Sequence, residues 1–88
     1  MNLKYEIVRQ EWIESERGWG QRPDGHSLHR TSTDRDMFIA LYWAKMPARD
    51  RNGNPPDEYS FPAGDTRIVS VDEKTYKEVC DSNYGVRY

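Results

Sequence analysis

Residues 16–30, Glu16-Arg17-Gly18-Trp19-Gly20-Gln21-Arg22-Pro23-Asp24-Gly25-His26-Ser27-Leu28-His29-Arg30, constrain the fold of this chain more than any other stretch. They contain three glycines and a proline. Glycine gives up more backbone freedom on ordering than any other residue, and proline donates no backbone hydrogen bond. Such a run is unsuited to the interior of a regular element. The pattern predicts a shaped loop turned by Pro23-Asp24-Gly25, because proline presets φ at the first corner and glycine accepts a positive φ. His26 to Arg30 then predicts a short strand, with Leu28 facing the core and Ser27 and His29 on the opposite side.

The flanking segments are more regular. Lys4 to Glu14 carries the β-formers Tyr5, Ile7, Val8, Trp12 and Ile13 and no Gly or Pro, which predicts a long first strand paired antiparallel with the second. Its alternation is imperfect: Tyr5 and Ile7 point one way, Val8 and Trp12 the other. Either a bulge or a strand covered on both faces accounts for this. Thr31 to Asp36 predicts a helix start. The Ser32 or Thr33 hydroxyl accepts orphan amides there, and Asp34 and Asp36 sit at the positive end of the dipole. The helix continues through Met37–Met46 and stops at Pro47. Its apolar side chains run nearly all the way round, so the face turned from the sheet needs a loop, the C-terminal tail or another subunit. Trp12 and Trp43 are expected in the core or at an interface.

Ala48 to Asp65 predicts a loop, dense in breakers at Asn52-Gly53-Asn54-Pro55-Pro56, with a brief edge strand at Asp57–Phe61. Thr66 to Val71 is a strand. Asp72 caps a short closing helix from Glu73 to Asp81, and Asn83 to Tyr88 is a tail. The expected architecture is one α+β domain spanning residues 1–88. A small antiparallel sheet in β-β-α-β-α order carries a main helix and a short C-terminal helix on one face.

Composition narrows the function classes. The 88 residues carry a net charge of −2, too little to mimic a duplex, and residues 17–35 hold Arg17, Arg22, Arg30 and Arg35 against Asp24 and Asp34, a positive excess that suits a small anion better than a duplex nucleic-acid partner. Three tryptophans, six tyrosines and two phenylalanines argue for a folded chain in spite of the 32% charged residues. Cys80 is the single cysteine, expected half-buried near the end of a helix, and one thiol fits a reducing compartment. The segment Met1 to Glu6 lacks an apolar signal core, and the apolar run from Met37 to Ala44 is too short to span a bilayer. A cytoplasmic protein without a membrane partner is therefore expected.

No motif names a reaction. His26 and His29, three apart beside Asp24, point to opposite faces of a strand, which disfavours a shared metal ion. Ser27 and Cys80 lack an activating context for nucleophilic catalysis. Glu14 and Glu16 share a strand side, as solvated carboxylates often do. No catalytic residue, metal or cofactor is assigned. The stronger constellation is one of recognition. Trp19 between two glycines presents a ring for stacking, Arg17 and Arg22 fork onto phosphate oxygens, and His26 and His29 donate to ribose or phosphate. Arg17, Trp19, Arg22, His26 and His29 are therefore the candidate contacts to a small anionic, nucleotide-like ligand. The competing reading has Trp19 covering a thin core and the arginines paired with Glu14, Glu16 and Asp24. Lys45, Arg49 and Arg51 form a second basic cluster beyond the helix, placed to close a shared pocket in a homo-oligomer.

The segment from Ile13 to His29, together with Pro56-Asp57-Glu58-Tyr59-Ser60-Phe61-Pro62 and Val71-Asp72-Glu73-Lys74-Thr75-Tyr76, resembles a group of short uncharacterised proteins of bacteria and phages. The resemblance spans most of the chain and carries over no activity and no site residue. It implies a phage-type, anti-defence role. Two expectations follow: a non-catalytic oligomer that sequesters an anionic signalling ligand, or an inhibitor that blocks a host defence protein through its apolar and aromatic surface.

Overall fold

A computed structural model describes residues 4–16, 20–45 and 58–88. Among these, the elements in chain order are β1 (Tyr5–Glu16), β2 (Gly20–His29), α1 (Ser32–Lys45), β3 (Glu58–Val71), α2 (Glu73–Asp81) and β4 (Val86–Arg87). The strands form one sheet in the order β3-β1-β2-β4, with every neighbouring pair antiparallel. The fold is α+β: a small antiparallel sheet, a main helix and a short C-terminal helix.

The two helices lie on opposite faces of the sheet rather than together on one. The parity of β1 explains this. Ile7 packs with Leu28 of β2 and Val79 of α2 into a buried cluster flanked by Val69, Val71, Tyr76 and Val86. Tyr5 stacks on Tyr76 at 4.3 Å. Full burial of each aliphatic side chain of this kind stabilises the fold by about 1.5–3 kcal/mol. On the other face Trp12 receives the rings of Phe38 and Tyr42 edge-on, with centroids at 6.3 and 4.8 Å. Arg35 of α1 also donates to Thr66 of β3 at 3.0 Å. The irregular alternation of β1 therefore has one of its two possible causes, a strand covered on both sides; the bulged residues lie in β2 and β3, opposite a regular β1.

The bulges correct the expected loop. Glu11 pairs with His26 and Ile13 with Pro23, so Asp24 and Gly25 together oppose Trp12. Gly25 takes φ +79°, and a Cβ there would strike the Tyr88 carbonyl. The proline and glycine that read as a turn instead build a bulge inside a strand that begins at Gly20, six residues before the expected start at His26. On the other side of β1, Gln10 pairs with Thr66 and Trp12 with Pro62, leaving residues 63–65 opposite Glu11. Pro62 is accommodated because β3 is an edge strand and the proline sits beside this irregularity. Residues 62–65, expected to be loop, thus belong to β3, which joins the edge strand expected up to Phe61 to the strand expected from Thr66. The loop expected at 48–57 lies outside the described residues.

Asp72 caps α2 as expected, its carboxylate accepting from the Thr75 amide at 2.8 Å. For α1 the cap falls one residue before the expected Ser32 or Thr33: Thr31 Oγ1 accepts from the Asp34 amide at 3.1 Å. Cys80, expected half-buried, is exposed. The C-terminal tail is also more than a tail. Its Val86 and Arg87 form β4, pairing with Leu28 and Ser27.

Candidate functional site

The bulge and the helix α1 enclose a polar chain at the centre of the sheet. Trp12 Nε1 donates to Ser27 Oγ at 2.7 Å, and Ser27 Oγ lies 2.7 Å from His29 Nε2. His29 Nδ1 lies 2.7 Å from the Tyr84 carbonyl oxygen. A carbonyl only accepts, so Nδ1 carries a hydrogen and donates it. In the neutral ring Nε2 is then an acceptor, and the Ser27 hydroxyl donates to it. Every donor in the chain has an acceptor. Ser27 and His29 are 0% exposed, and the Phe38 ring closes on His29 edge-on at 4.9 Å. Burial holds the His29 imidazole below the usual histidine range, the Tyr84 hydrogen bond opposing it in part.

Backbone geometry makes this chain possible. Tyr84 has φ +68° and Gly85 φ +145°. That turn lays the 84–85 peptide directly on the imidazole. A Cβ on Gly85 would collide with His29 Nδ1 and lie 2.6 Å from the Leu28 carbonyl oxygen.

A second polar network covers Trp12 from outside. The Arg87 guanidinium carbon sits 4.2 Å above the Trp12 ring. Its Nη2 donates to the Asp24 carbonyl at 2.8 Å and carboxylate at 2.9 Å. The same carboxylate accepts from the Ser60 hydroxyl, and the Ser60 carbonyl accepts from Tyr42 Oη. The Ser60 hydrogen bond is the leading cause that lowers the Asp24 carboxyl below its usual range, with Arg87 adding to it. Asp24 therefore ties β2 to β3 and β4.

The face that carries α2 opens beyond Arg9. Arg9 donates to Glu11 at 2.7 Å, with Arg67 at 3.7 Å from the same carboxylate. That pairing with Arg9 is the leading cause that lowers Glu11. Ile13, Pro23 and Ala63 floor an open groove of about 350 Å³ rimmed by Glu11, Asp65 and Arg67. The charges around it nearly balance. On the opposite face, α1 contains no buried residue. Met37, Leu41 and Trp43 are each about 40% exposed, and Ile68, on the same face of the sheet, is 62% exposed.

Of the five candidate ligand contacts, Arg17 and Trp19 lie outside the described residues, and the three that are described do not form one group. Arg22 is exposed and pairs with Glu14 at 3.4 Å. His26 faces the α2 side, stacked on Tyr88 at 5.2 Å, and burial is the main cause that lowers its pKa. His29 faces the α1 side inside the protein. His26 and His29 thus leave β2 on opposite faces, as the strand parity predicts, and the His29 ring is sealed, so the two do not meet on one guest. Of the second basic cluster, Lys45 is exposed at the end of α1, and Arg49 and Arg51 lie outside the described residues. Sequence reasoning missed Asp24, Ser60, Tyr84 and Arg87. Gly85 was the available signal for the turn at the histidine, because a glycine in a tail otherwise has no work.

Among the described residues no group of three or more His, Cys, Asp or Glu is placed to hold a metal ion, and no helix is long and apolar enough to cross a membrane. No family model, no curated protein and no solved structure matches the chain.

Proposed function

We propose that this is a non-catalytic binding protein that docks on a partner protein through the outward side of α1. The observation that carries the reading is the exposure of Met37, Leu41 and Trp43 on a helix that buries none of its residues, with Ile68 exposed on the same face of the sheet. Aromatic and large aliphatic side chains of this kind dominate interface energetics when they fill a partner's pocket. The enclosed Ser27–His29 pair adds support, because it uses the one serine–histidine contact among the described residues for structure. On the resemblance to short phage and bacterial proteins, the partner is a host defence protein, and the action is to block it.

The test is binding of a purified candidate partner to the wild-type protein and to Leu41→Glu. The reading expects at least a tenfold loss of affinity in the variant, with an unchanged circular-dichroism spectrum to separate lost docking from lost folding. Equal binding by both proteins refutes it. Two competing outcomes are read in parallel. Light scattering that shows a dimer of wild type and a monomer of Leu41→Glu assigns the face to a second copy of the chain. Calorimetric heat with cyclic oligonucleotides, lost in Arg22→Ala, favours capture of a nucleotide-like ligand instead.

A further inference from the structure

We propose that the C-terminal segment Ser82–Tyr88 is an acid-released strap, latched over β2 by the neutral His29 ring. The strap is attached through few points, and most are polar. Its backbone pairs with β2 at Ser27 and Leu28, and the Tyr88 amide donates to the His26 carbonyl at 2.8 Å. Side-chain contacts are Ser82 Oγ with the Glu78 carbonyl at 2.7 Å, where the strap leaves α2, Arg87 with Asp24 and Trp12, Tyr88 with His26, Tyr88 Oη with Glu78 at 3.4 Å, and His29 with the Tyr84 carbonyl. Val86 alone contributes to the aliphatic cluster.

His29 is the point at which acid acts. A proton added to Nε2 removes the acceptor of the Ser27 hydroxyl and puts a positive charge on a ring that water does not reach. Charges facing the ring come from α1, where Arg35 opposes protonation and Asp34 favours it. β1 contributes Val8 across the ladder and Trp12 through Ser27, neither charged. β4 contributes Arg87, stacked on Trp12 rather than on the imidazole. The cheapest relief is hydration of the ring. The 84–85 turn lies directly over Nδ1 and is held by a two-residue strand, whereas α1 is pinned through Phe38, Tyr42 and Arg35. Lifting the turn hydrates the ring and uncovers the edge of β2 from His26 to Leu28, where a further strand can pair.

The Tyr88 amide reports the latch, because it is protected only while the strap is closed. Hydrogen-exchange protection factors, corrected for intrinsic rates, are measured by NMR from pH 7.5 to 5. A one-proton linkage predicts that Tyr88 protection is flat above about pH 6.5 and falls about tenfold per pH unit below it. Amides of α1 and of the centre of β1 hold their protection over the same range. In His29→Gln the slope disappears, and in His26→Gln it persists. If His29→Gln does not fold, the titration of the His29 Cε1 proton in the wild type is compared with the Tyr88 profile: its midpoint must lie below about pH 6.5, at the acid end of the range over which Tyr88 protection falls. Protection of Tyr88 that does not change with pH overturns the proposal. So does simultaneous loss across α1, or a slope that follows His26 rather than His29.

Discussion

Removing the Ser27 hydroxyl is the sharpest probe of how this fold is held together. Ser27→Ala deletes one oxygen and leaves two groups without partners. Trp12 Nε1 loses its acceptor and His29 Nε2 loses its donor, both in an interior where Trp12 is 1% exposed. The imidazole has no easy tautomeric escape, because moving the hydrogen to Nε2 would set a bare Nδ1 against the Tyr84 carbonyl. An orphaned buried polar group costs about 1–3 kcal/mol, so the variant should lose about 2–6 kcal/mol. For 88 residues, an unfolding entropy of about 2 cal/mol/K per residue converts each kcal/mol into about 6 °C, so Tm should fall by about 10–35 °C. Urea unfolding followed by far-UV circular dichroism gives the free energy, and calorimetry gives Tm. Adding Trp12→Phe removes one of the two orphans, so the double variant should fall short of additivity by about 1 kcal/mol. A loss below about 0.5 kcal/mol in Ser27→Ala would mean that the chain of hydrogen bonds contributes nothing net, and the reasoning would be refuted.

Three further outcomes are expected. Stability is greatest above about pH 6.5 and declines as the pH falls, because the folded state holds the His29 pKa below its unfolded value and so binds fewer protons than the unfolded chain. Asp24 adds a second loss as the pH falls below its ordinary value near 3.8, since its depressed pKa stabilises the fold only while it is ionised. Urea titrations from pH 8 to 3 check both, and a flat profile above pH 5 contradicts the histidine part. Gly85→Ala should lose more than about 2 kcal/mol, whereas Gly20→Ala, with φ +83° but open space around it, should lose only about 1 kcal/mol. Equal losses in thermal melts would show that the turn does not need its close approach to His29. Thr31→Val should lower stability by about 1 kcal/mol through the lost cap of α1, with a neutral melt as the contrary result.

The class of the fold was legible in the sequence, because periodicity and capping act locally. The β-formers of β1, the Asp72 cap and the apolar run of α1 each announce themselves within a few residues. What was hidden depends on partners distant in sequence. Pro23-Asp24-Gly25 has the chemistry of a turn, and only the two-against-one register opposite Trp12 makes it a bulge. Pro62 reads as a strand breaker until β3 is seen to lie at the sheet edge. The opposite placement of the helices was already implied by Ile7 and Val8 being adjacent and both apolar, since a strand buried on both faces needs a cover for each. Grouping Arg22, His26 and His29 meets a similar obstacle. Closeness along residues 22–29 is not closeness in space once the segment is a strand, because successive side chains leave on opposite sides.

The Ser27–His29–Tyr84 chain shares its connectivity with a nucleophile, a base and an orienting acceptor. Access and protonation, rather than distance, decide that it works as architecture here. The Ser27 hydroxyl is enclosed, with no exposed surface at which a substrate could reach it, and one of its two lone pairs already accepts from Trp12. The acceptor on Nδ1 is a neutral carbonyl, which fixes the tautomer but gives little help to an imidazolium, unlike the carboxylate of a catalytic triad. Release of the strap does not convert the pair into a catalyst either. The proton that would open the turn sits on Nε2, the atom that has to be free to act as base. Acid-driven exposure and basicity are thus opposed at this histidine: the proton that favours the open turn occupies the nitrogen that a base would use.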